Sequence, residues 1–277
     1  MACIGLIHPG AMGASVGAAA RSNQHRVLWA SQGRSEDTLK RAAQANLEDI
    51  ETLPEMVAAS DIVLSICPPH AAEDVAREVA GLGFSGIYVD GNAISPDRTR
   101  SMQKIVEAAG ADYVDGGIIG GPAWTREAGT SLYLSGPRAQ EVSVCFDGSP
   151  LQAPAISDRI GAASALKMGY AAYTKGTTAL LTAILGMVEK EGVRADLARQ
   201  WGDAFTNQTV RRVCSNTAKA WRFEGEMYEI AATFEGVGLP GGFHQAAANV
   251  YHRLAGFKDR DEPPAIDEVL EVLLNNK

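Results

Sequence analysis

Three polar side chains at helical spacing lie in an otherwise apolar stretch and could move a proton. Residues 165–181 read ALKMGYAAYTKGTTALL, so Lys167, Tyr170 and Thr174 stand at i, i+3 and i+7, on one face of a helix. A lysine in such a helix must pair, extend its ammonium to solvent, or lose its proton. A desolvated lysine can take a proton from a hydroxyl and return it to a carbonyl oxygen. A lysine that only reaches the surface remains the alternative.

A glycine-rich turn near the start of the chain is the second chemical feature. Residues 4–20 read IGLIHPGAMGASVGAAA, which is an apolar strand, a turn and a small-residue helix, the setting of the dinucleotide fingerprint G-x-G-x-x-G. His8 and Pro9 replace the first glycine, and proline favours an extended backbone at the residue before it. The ring of His8 lies either in solvent or against the nicotinamide half of the cofactor. The expected cofactor-binding residues are His8, Pro9, Gly10, Ala11, Met12 and Gly13.

The end of the second predicted strand indicates which dinucleotide binds. Enzymes that use NAD usually place a carboxylate there on the ribose hydroxyls. The segment reads WASQGRSEDT, with Ser31, Arg34 and Ser35 ahead of the first carboxylate, Glu36. Because a guanidinium forks onto phosphate oxygens, this cluster favours NADP(H) over NAD(H). A solvated loop arginine remains the alternative.

The elements that must position these residues follow an alternating pattern in the first half of the chain. Short apolar runs alternate with helical segments, which predicts an α/β fold with a doubly wound parallel sheet of Rossmann type. After the Gly- and Pro-containing stretch 146–154 the pattern is helical. We expect a nucleotide-binding domain at residues 1–154 and an all-helical substrate and dimerisation domain at residues 155–277. The predicted strands are 2–7, 26–30, 61–66, 86–90, 112–115 and 131–135, and the predicted helices are 11–21, 36–44, 71–80, 96–109, 160–191, 195–218, 225–237, 242–254 and 265–275.

Composition limits the partners that we expect. A net charge of −8 argues against a general nucleic-acid binder, because such binding depends on neutralising phosphates. The four cysteines are far apart and form no C-x-x-C pair, so we expect reduced thiols, no metal site and a cytoplasmic protein. No apolar run is long enough and uncharged enough to predict a membrane span.

Five ordered stretches together resemble the β-hydroxyacid dehydrogenase family, within the 6-phosphogluconate dehydrogenase superfamily. Besides the glycine turn they are DIVLSICPP (61–69), YVDGNAISP (88–96), DYVDGGIIGGPAWTREAGTSLYLSG (112–136) and IGAASALKMGYAAYTKG (160–176). The resemblance implies a Rossmann domain, a long interdomain helix and a helical domain that often forms homodimers. It also implies reversible hydride transfer between a nicotinamide and a small hydroxy acid or carbonyl compound.

By position in these motifs, the resemblance assigns site residues. Lys167 matches the family's catalytic lysine. The role of Tyr170 is expected from its spacing instead: one turn after Lys167, it would hydrogen-bond to the same oxygen or relay the proton. Gly120 and Gly121 match the substrate-binding S-G-G segment. The remaining matches are Asn92, near the nicotinamide ribose, and Pro68 and Pro69, in the loop along the cofactor.

Departures from the family pattern concern the substrate more than the hydride chemistry. Ile119 replaces the serine of S-G-G, and Tyr170 and Ala171 occupy the place of the asparagine one turn after the lysine. The lysine–aspartate pair near a K-D-L sequence is replaced by GEMYEIA, with Glu226 and Glu229. The i, i+4, i+7 spacing of Arg222, Glu226 and Glu229 predicts a solvated, ion-paired helix face. A contact from Glu226 or Glu229 to a substrate ammonium or hydroxyl remains the alternative.

Two further residues are candidates for the substrate pocket. Trp124 follows the glycine loop and would form a wall for an apolar or bulky substrate. His244 begins a predicted helix and either binds substrate or is a capping or core histidine. We expect an NADP(H)-dependent oxidoreductase of the β-hydroxyacid dehydrogenase type. The alternatives are an imine reductase, a class that shares the architecture and commonly lacks the lysine, or a nucleotide-binding protein without turnover.

Overall fold

The computed structural model describes residues 1–258, 260 and 262–275. The chain divides into two compact units, Met1–Lys167 and Met168–Lys277. The division predicted from sequence, at 154 and 155, lies earlier. Residues 155–157 form a strand of the first unit's sheet, and the first turns of the following helix also belong to that unit.

The first unit is built on one eight-stranded sheet with the order β3-β2-β1-β4-β5-β6-β7-β8. In this order, each strand from β3 to β5 is parallel to the next one, so the six strands β3, β2, β1, β4, β5 and β6 form a parallel sheet. Strand β7 is antiparallel to β6, and β8 is parallel to β7. The strands are β1 (Cys3–Ile7), β2 (Arg26–Trp29), β3 (Glu48–Asp49), β4 (Ile62–Ser65), β5 (Ile87–Asp90), β6 (Asp112–Ile119), β7 (Ser131–Ser135) and β8 (Ala155–Ser157). The predicted α/β class is confirmed.

Helices cover both faces of this sheet, as expected for strands that are apolar on both sides. One core packs Leu6 and Val114 of the strands against Val16 and Val142 of the helices. The other packs Val63 of β4 among Val57, Val75, Met102 and their neighbours. The helices are α1 (Ala11–Ser22), α2 (Glu36–Gln44), α3 (Leu53–Ala58), α4 (Ala72–Gly81), α5 (Pro96–Ala108) and α6 (Ala139–Ser143). Helix α7 (Ala162–Ala171) carries the division between the units.

The second unit is helical over its described residues. A π-helical turn at Ala172–Gly176 connects α7 to α8, and within the unit Met227, Ile230 and Tyr251 are buried. The helices are α8 (Thr177–Lys190), α9 (Arg194–Trp201), α10 (Asp203–Thr217), α11 (Ala220–Glu235), α12 (Gly242–Arg253) and α13 (Ile266–Asn275). Among the described residues, no helix is both long and apolar enough to cross a bilayer.

Two helices that the sequence predicts as continuous are interrupted. The predicted helix 195–218 is two helices, because Gly202 has a φ of +76° and breaks the hydrogen-bonding pattern between α9 and α10. The predicted helix 160–191 contains the π-helical turn. A π turn accommodates more residues than an α turn, so the predicted common face of Lys167, Tyr170 and Thr174 does not extend to Thr174.

Candidate functional site

Most of the predicted site residues of the first unit follow the carboxyl ends of parallel strands. Ligands of open α/β sheets bind at this edge. The glycine turn follows β1, Arg34 follows β2, Pro68 and Pro69 follow β4, Asn92 follows β5, and Gly120, Gly121 and Trp124 follow β6. Parallel pairing from β2 to β6 therefore brings these loops to one edge of the sheet.

The glycine turn forms, but its backbone differs from the prediction. His8 has a φ of +61°, so its backbone is left-handed in φ rather than extended. Non-glycine residues rarely adopt this region, and here it overrides the preference for extended backbone before proline. The His8 carbonyl oxygen accepts a hydrogen bond from Gly10 N at 2.7 Å. A Cβ on Gly13 would lie 2.7 Å from the same oxygen, so only glycine fits there and the third fingerprint position keeps its expected role.

The N-terminus of α1 is available to an anion. Gly10 at the N-cap supplies no side-chain hydrogen bond to the first turn, whose N–H groups have no acceptor within the helix. Ser15 Oγ accepts a hydrogen bond from Ala123 N at 2.9 Å. This bond ties the loop that contains Trp124 to α1.

His8 and Arg34 contact each other beside the turn. Arg34 Nη1 lies 3.4 Å from His8 Nε2. Burial, and secondarily the Arg34 charge, lower the pKa of His8 to about 4. Within the described residues, His8 Nδ1 and Arg34 Nε are buried without a hydrogen-bond partner. Buried polar atoms nearly always have partners. These two atoms fit a site for a phosphorylated dinucleotide, together with the open space at Gly10, where the nearest atom to an added Cβ would be His8 O at 4.0 Å.

The segment after β2 contains a second arginine that the sequence analysis did not single out. Arg41 of α2 donates through Nε to Pro9 O at 3.4 Å and through Nη2 to Thr38 Oγ1 at 3.2 Å. Ser35 caps α2, because its Oγ accepts from Thr38 N. The signal that could have indicated Arg41 was its i+3 spacing from Thr38 in the helix that follows the Ser31–Ser35 segment. The two guanidiniums contact consecutive residues of the turn.

An acidic hollow is lined in part by Ser31. This cavity of about 510 Å³ is lined by Ser31, Asp49, Ile50, Glu51 and Glu55. Asp49 Oδ1 accepts from Glu51 N, and Glu55 Oε2 accepts from the Thr52 hydroxyl. Two of its three carboxylates therefore already have partners.

Asn92 is buried, and its side chain connects two loops of the edge. Its Oδ1 accepts from Cys67 N at 2.6 Å, and its Nδ2 donates to Ser65 Oγ at 3.3 Å. The exposed fraction of Asn92 is 3%. In this structure the residue holds the Cys67–Pro69 segment in place, which is a positioning role beside the predicted contact with the cofactor.

The loop after β6 has backbone constraints of its own. Gly120 has a φ of +127°, and a Cβ there would lie 2.7 Å from Thr130 Oγ1. Thr130 Oγ1 in turn donates to Gly121 O at 2.7 Å. The glycine pair and Thr130 thus fix a loop whose backbone remains exposed beside half-buried Trp124.

Helix α7 is anchored to the sheet at its N-terminus by a buried carboxylate. Asp115 of β6 accepts from Gly161 N, Ser164 N and Ser164 Oγ, and also from Ser135 Oγ. Asp115 is not among the residues predicted from sequence. The signal was present, because Y-V-D-G occurs twice, at 88–91 and 113–116.

Lys167 lies where this anchored helix contacts β6. A Cβ on Gly117 would lie 3.0 Å from Lys167 Cβ and 2.7 Å from Ala163 O. The absence of a side chain at Gly117 therefore lets α7 approach β6 closely. Lys167 is half-buried. Its Cβ lies beside Gly117 of β6, and Gly117 is three residues before Gly120 in the chain.

Tyr170 lies one turn after Lys167 on α7 and is 48% exposed. Its carbonyl oxygen accepts a hydrogen bond from Thr174 Oγ1 at 3.0 Å. Its phenol is available to an external group, in contrast to the buried residues on the other faces of the helix.

The second unit contains a buried ion pair where a solvated face was predicted. Glu226 pairs with Lys175 of the π-helical turn, and their side chains are 13% and 16% exposed. Lys175 Nζ also lies 4.7 Å from the Phe223 ring centroid, and burial lowers the lysine's pKa. The predicted ion pairing of Glu226 is present. Its predicted exposure to solvent is wrong, because helical spacing gives a residue's face but not which neighbouring helix covers it.

His244 is 5% exposed and lies among aromatic rings of the second unit. Its ring centroid is 4.5 Å from that of Phe234 and 5.1 Å from that of Phe243. Within the described part of the chain its Nδ1 has no hydrogen-bond partner. These contacts are those of a core histidine, and its predicted role in substrate binding stays a prediction.

Two family models match the chain. Residues 2–144 match the NAD-binding domain of 6-phosphogluconate dehydrogenase, and residues 188–254 match a domain of unknown function, DUF1932. The first match covers the glycine turn, Arg34 and the Gly120 loop.

Two curated relatives are similar to this chain over more than half of its length. An uncharacterised 28.5 kDa protein of Methanothermus fervidus is 32% identical over 204 residues, which are 72% of this chain and 78% of the relative. The mitochondrial 3-hydroxyisobutyrate dehydrogenase of Drosophila melanogaster is 25% identical over 173 residues, 61% of this chain and 50% of the relative.

Solved structures share the fold over nearly the full length. The conserved protein MTH1747, of unknown function and described as structurally similar to 3-hydroxyacid dehydrogenases, is 26% identical with a TM-score of 0.67, covering 92% of this chain and 97% of its own. An imine reductase variant from Myxococcus stipitatus, in complex with NAD+, is 18% identical with a TM-score of 0.55 and 99% of both chains covered. The resemblance stated from sequence is confirmed. The chain therefore belongs to the family defined by the NAD-binding domain of 6-phosphogluconate dehydrogenase and carries a DUF1932 domain in its C-terminal half.

Proposed function

We propose that the chain is an NADP(H)-dependent oxidoreductase that transfers hydride between the nicotinamide and a small hydroxy acid or its carbonyl counterpart. One observation carries this proposal. Asp115 and Gly117 of β6 hold α7 so that Lys167 starts beside the sheet edge where the glycine turn and the Gly120 loop also lie. The relation to the 3-hydroxyisobutyrate dehydrogenase of Drosophila supports the reaction class.

The preference for NADP(H) rests on charge at the end of β2. Arg34 and Arg41 flank the His8–Pro9 turn, and a guanidinium recognises phosphate through paired donors. Two of the three carboxylates that line the hollow with Ser31 already accept hydrogen bonds, Asp49 from Glu51 N and Glu55 from the Thr52 hydroxyl. The arrangement suits a ribose that carries a phosphate better than a free ribose diol.

Lys167 is the residue that handles the proton. When bound, the cofactor supplies or accepts the hydride. In the reducing direction the Lys167 ammonium donates to the substrate oxygen as negative charge develops there, and in the oxidising direction the neutral amine takes the hydroxyl proton. Tyr170, one turn along α7, donates a hydrogen bond to the same oxygen. The exposed backbone at Gly120 and Gly121 and the ring of Trp124 bind and enclose the substrate.

A substrate screen followed at 340 nm tests the reaction class. Hydroxy acids, ketoacids, aldehydes and cyclic imines are each offered with NADP(H) and with NAD(H). We expect turnover with hydroxy acids or their carbonyl partners, faster with NADP(H). The imine reductase fold is similar, so turnover with imines alone would replace the proposal with that activity. Tight cofactor binding with no turnover would indicate a nucleotide-binding protein.

Replacing the lysine tests its role. Lys167→Ala should lower kcat by about 10²- to 10⁴-fold, the usual contribution of a general acid–base, and should leave the dissociation constant for NADPH within about threefold. Lys104→Ala, at an exposed lysine of α5, is the matched control and should retain full turnover. Wild-type rates in Lys167→Ala would remove this residue from the mechanism.

A further inference from the structure

Asp90 ends β5 at the sheet edge where the predicted cofactor-binding loops lie, and the proposed hydride transfer does not use it. Its side chain is fully buried. Oδ1 accepts a hydrogen bond from Asn92 N at 3.0 Å, and Oδ2 accepts from Tyr113 Oη at 2.8 Å. A Cβ on the intervening Gly91 would lie 3.2 Å from Ile66 Cγ1. The turn that Asp90 holds is therefore packed closely against the end of β4.

The side chain of Asn92 extends this restraint to the next loop. Its Oδ1 accepts from Cys67 N at 2.6 Å, and its Nδ2 donates to Ser65 Oγ at 3.3 Å. Two consecutive hydrogen bonds therefore connect Asp90, through Asn92, to the Cys67–Pro69 segment. That segment is the loop predicted to lie along the cofactor.

The next strand contains a similar arrangement. Asp115 is in register with Asp90 and lies in the same Y-V-D-G sequence. It accepts from Gly161 N and Ser164 N and so holds the start of α7. Each of the two buried aspartates thus fixes an element outside its own strand, Asp115 the helix that carries Lys167 and Asp90 the loop after β4.

The surroundings of Asp90 determine its charge. The titratable and charged groups around it are Tyr88 of β5, Tyr113 and Asp115 of β6, Cys67 after β4 and, beside Cys67, Arg98 of α5. Burial raises the pKa of the Asp90 carboxyl to about 7, its hydrogen bonds only partly oppose the increase, and the Asp115 charge adds to it. Burial also raises the pKa of both tyrosines and of the thiol. Near neutral pH, Asp90 therefore changes its charge while the two tyrosines and the thiol do not.

We propose that Asp90 is a positioning residue of the cofactor site. As a carboxylate it holds Asn92, and through it the Cys67–Pro69 segment, in the arrangement that binds NADP(H). This inference rests on the proposed function, which supplies the dinucleotide. A hydrogen bond to a carboxylate is about twice as strong as one to a neutral acceptor, so protonation of Asp90 weakens the bond from Asn92 N. The affinity for the dinucleotide should therefore decrease as the pH falls through neutrality.

Calorimetric titration with NADP+ tests the inference in wild type and in Asp90→Asn, whose neutral amide keeps an acceptor oxygen for Asn92 N. At about pH 8.5 the variant should bind about three- to tenfold more weakly, because its acceptor carries no charge. At about pH 5.5, where the wild-type carboxyl is also neutral, the two affinities should agree within about twofold. Titration of the 2′-phosphate affects both proteins and cancels in their ratio.

Asp147→Asn, at an exposed aspartate after α6, is the matched control and should keep the wild-type affinity at every pH. A ratio of wild-type to Asp90→Asn affinity that does not vary with pH would overturn the inference. If the wild-type protein binds neither NADP+ nor NAD+ at any pH, the proposed function is contradicted, and the inference with it.

Asn92→Ala shows whether Asn92 transmits the effect. This change removes the amide that holds Cys67 N and leaves the backbone N–H from which Asp90 accepts. In the Asn92→Ala background, Asp90→Asn should change the NADP+ affinity at about pH 8.5 by less than about 1.5-fold, because residues that act in series are not additive. Additive losses would mean that Asp90 does not act through Asn92.

The free, unmodified protein gives a readout that needs neither a variant nor a ligand. In NMR spectra the carboxyl carbon of Asp90 and the backbone amides of Asn92 and Cys67 should titrate together, with a midpoint of about 7. If the Cys67 amide stays in place while the Asp90 carboxyl titrates, the carboxyl does not act on the loop and the positioning role is refuted.

Discussion

At the scale of single residues, two aspartates in register on neighbouring strands have different surroundings. Asp90 of β5 pairs with Asp115 of β6, and both are fully buried. Asp115 accepts from four groups that anchor α7. Asp90 accepts from Tyr113 Oη at 2.8 Å and from Asn92 N at 3.0 Å. Burial raises the pKa of Asp90 to about 7, and these two hydrogen bonds only partly oppose the increase.

The raised pKa of Asp90 predicts a pH dependence of stability. Its unfolded value is 3.8, so between pH 3.8 and about 7 the folded state binds more protons than the unfolded state. The contribution of Asp90 is therefore complete below pH 3.8 and is lost as the pH rises to about 7. Asp90→Asn should remove this loss. The free energy of unfolding of the variant, relative to wild type, should rise across this window by at least about 1.4 kcal/mol, one pKa unit.

Urea titrations at several pH values measure this difference. His8 acts in the opposite direction, because its lowered pKa means that stability is lost as the pH falls from 6.5 to about 4. This contribution is present in both proteins and cancels in the comparison. A difference that stays flat from pH 4 to pH 7 would show that Asp90 does not titrate in this range.

At the scale of elements, local patterns allowed the strands and helices next to the site to be predicted. The predicted strand 131–135 and helix 36–44 agree with β7 and α2, and the starts of α1 and α5 also agree. Apolar runs and cap residues are local signals. Strand β3, with exposed Glu48 and Asp49, has no apolar pattern and forms only because Leu28 of β2 pairs with Glu48.

The candidate site was predictable as a set of loops and not as a set of contacts. The motifs placed His8, Arg34 and the Gly120 loop at strand ends. The left-handed φ of His8, the approach of Arg41 to Pro9 and the carboxylate under α7 all depend on tertiary packing. Such packing brings together residues that are far apart in sequence. The spacing of residues within one segment cannot predict these contacts.

Asp115 anchors the N-terminus of α7, so we predict that it fixes the position of Lys167 on that helix. Asp115→Asn replaces an acceptor oxygen by an amide that faces donors, so it should destabilise the protein by about 2 to 4 kcal/mol. It should also lower kcat more than it changes the dissociation constant for NADPH, because the start of α7 shifts while the glycine turn does not. Asp147→Asn, at an exposed aspartate after α6, is the control and should change stability by less than about 0.5 kcal/mol. A loss of stability with unchanged kcat would limit Asp115 to a structural role.

At the scale of the whole molecule, overall charge and local charge act in opposite directions. The net charge is −8, so the protein repels anions at long range, and this repulsion is screened beyond about 10 Å at 0.1 M salt. Arg34 and Arg41 lie together beside the glycine turn and act at contact distance. We therefore expect a phosphorylated ligand to bind through direct contacts with these two arginines. A polyanion without a matching shape is not attracted, because the net charge of the protein is negative.

This balance predicts how ligands stabilise the folded protein. NADP+ at about 100 times its dissociation constant should raise the free energy of unfolding by about 2.7 kcal/mol, since a ligand that binds only the folded state stabilises it by mass action. NAD+ at the same concentration should give a smaller increase, and inorganic tripolyphosphate at matched charge should give none. Thermal unfolding measures the ranking, and hydrogen exchange locates it, with protection expected at residues 8–16 and 31–41. If tripolyphosphate stabilised the protein as much as NADP+ does, recognition would depend on charge alone. A polyphosphate carries the anionic groups of the dinucleotide but has neither its riboses nor its nicotinamide.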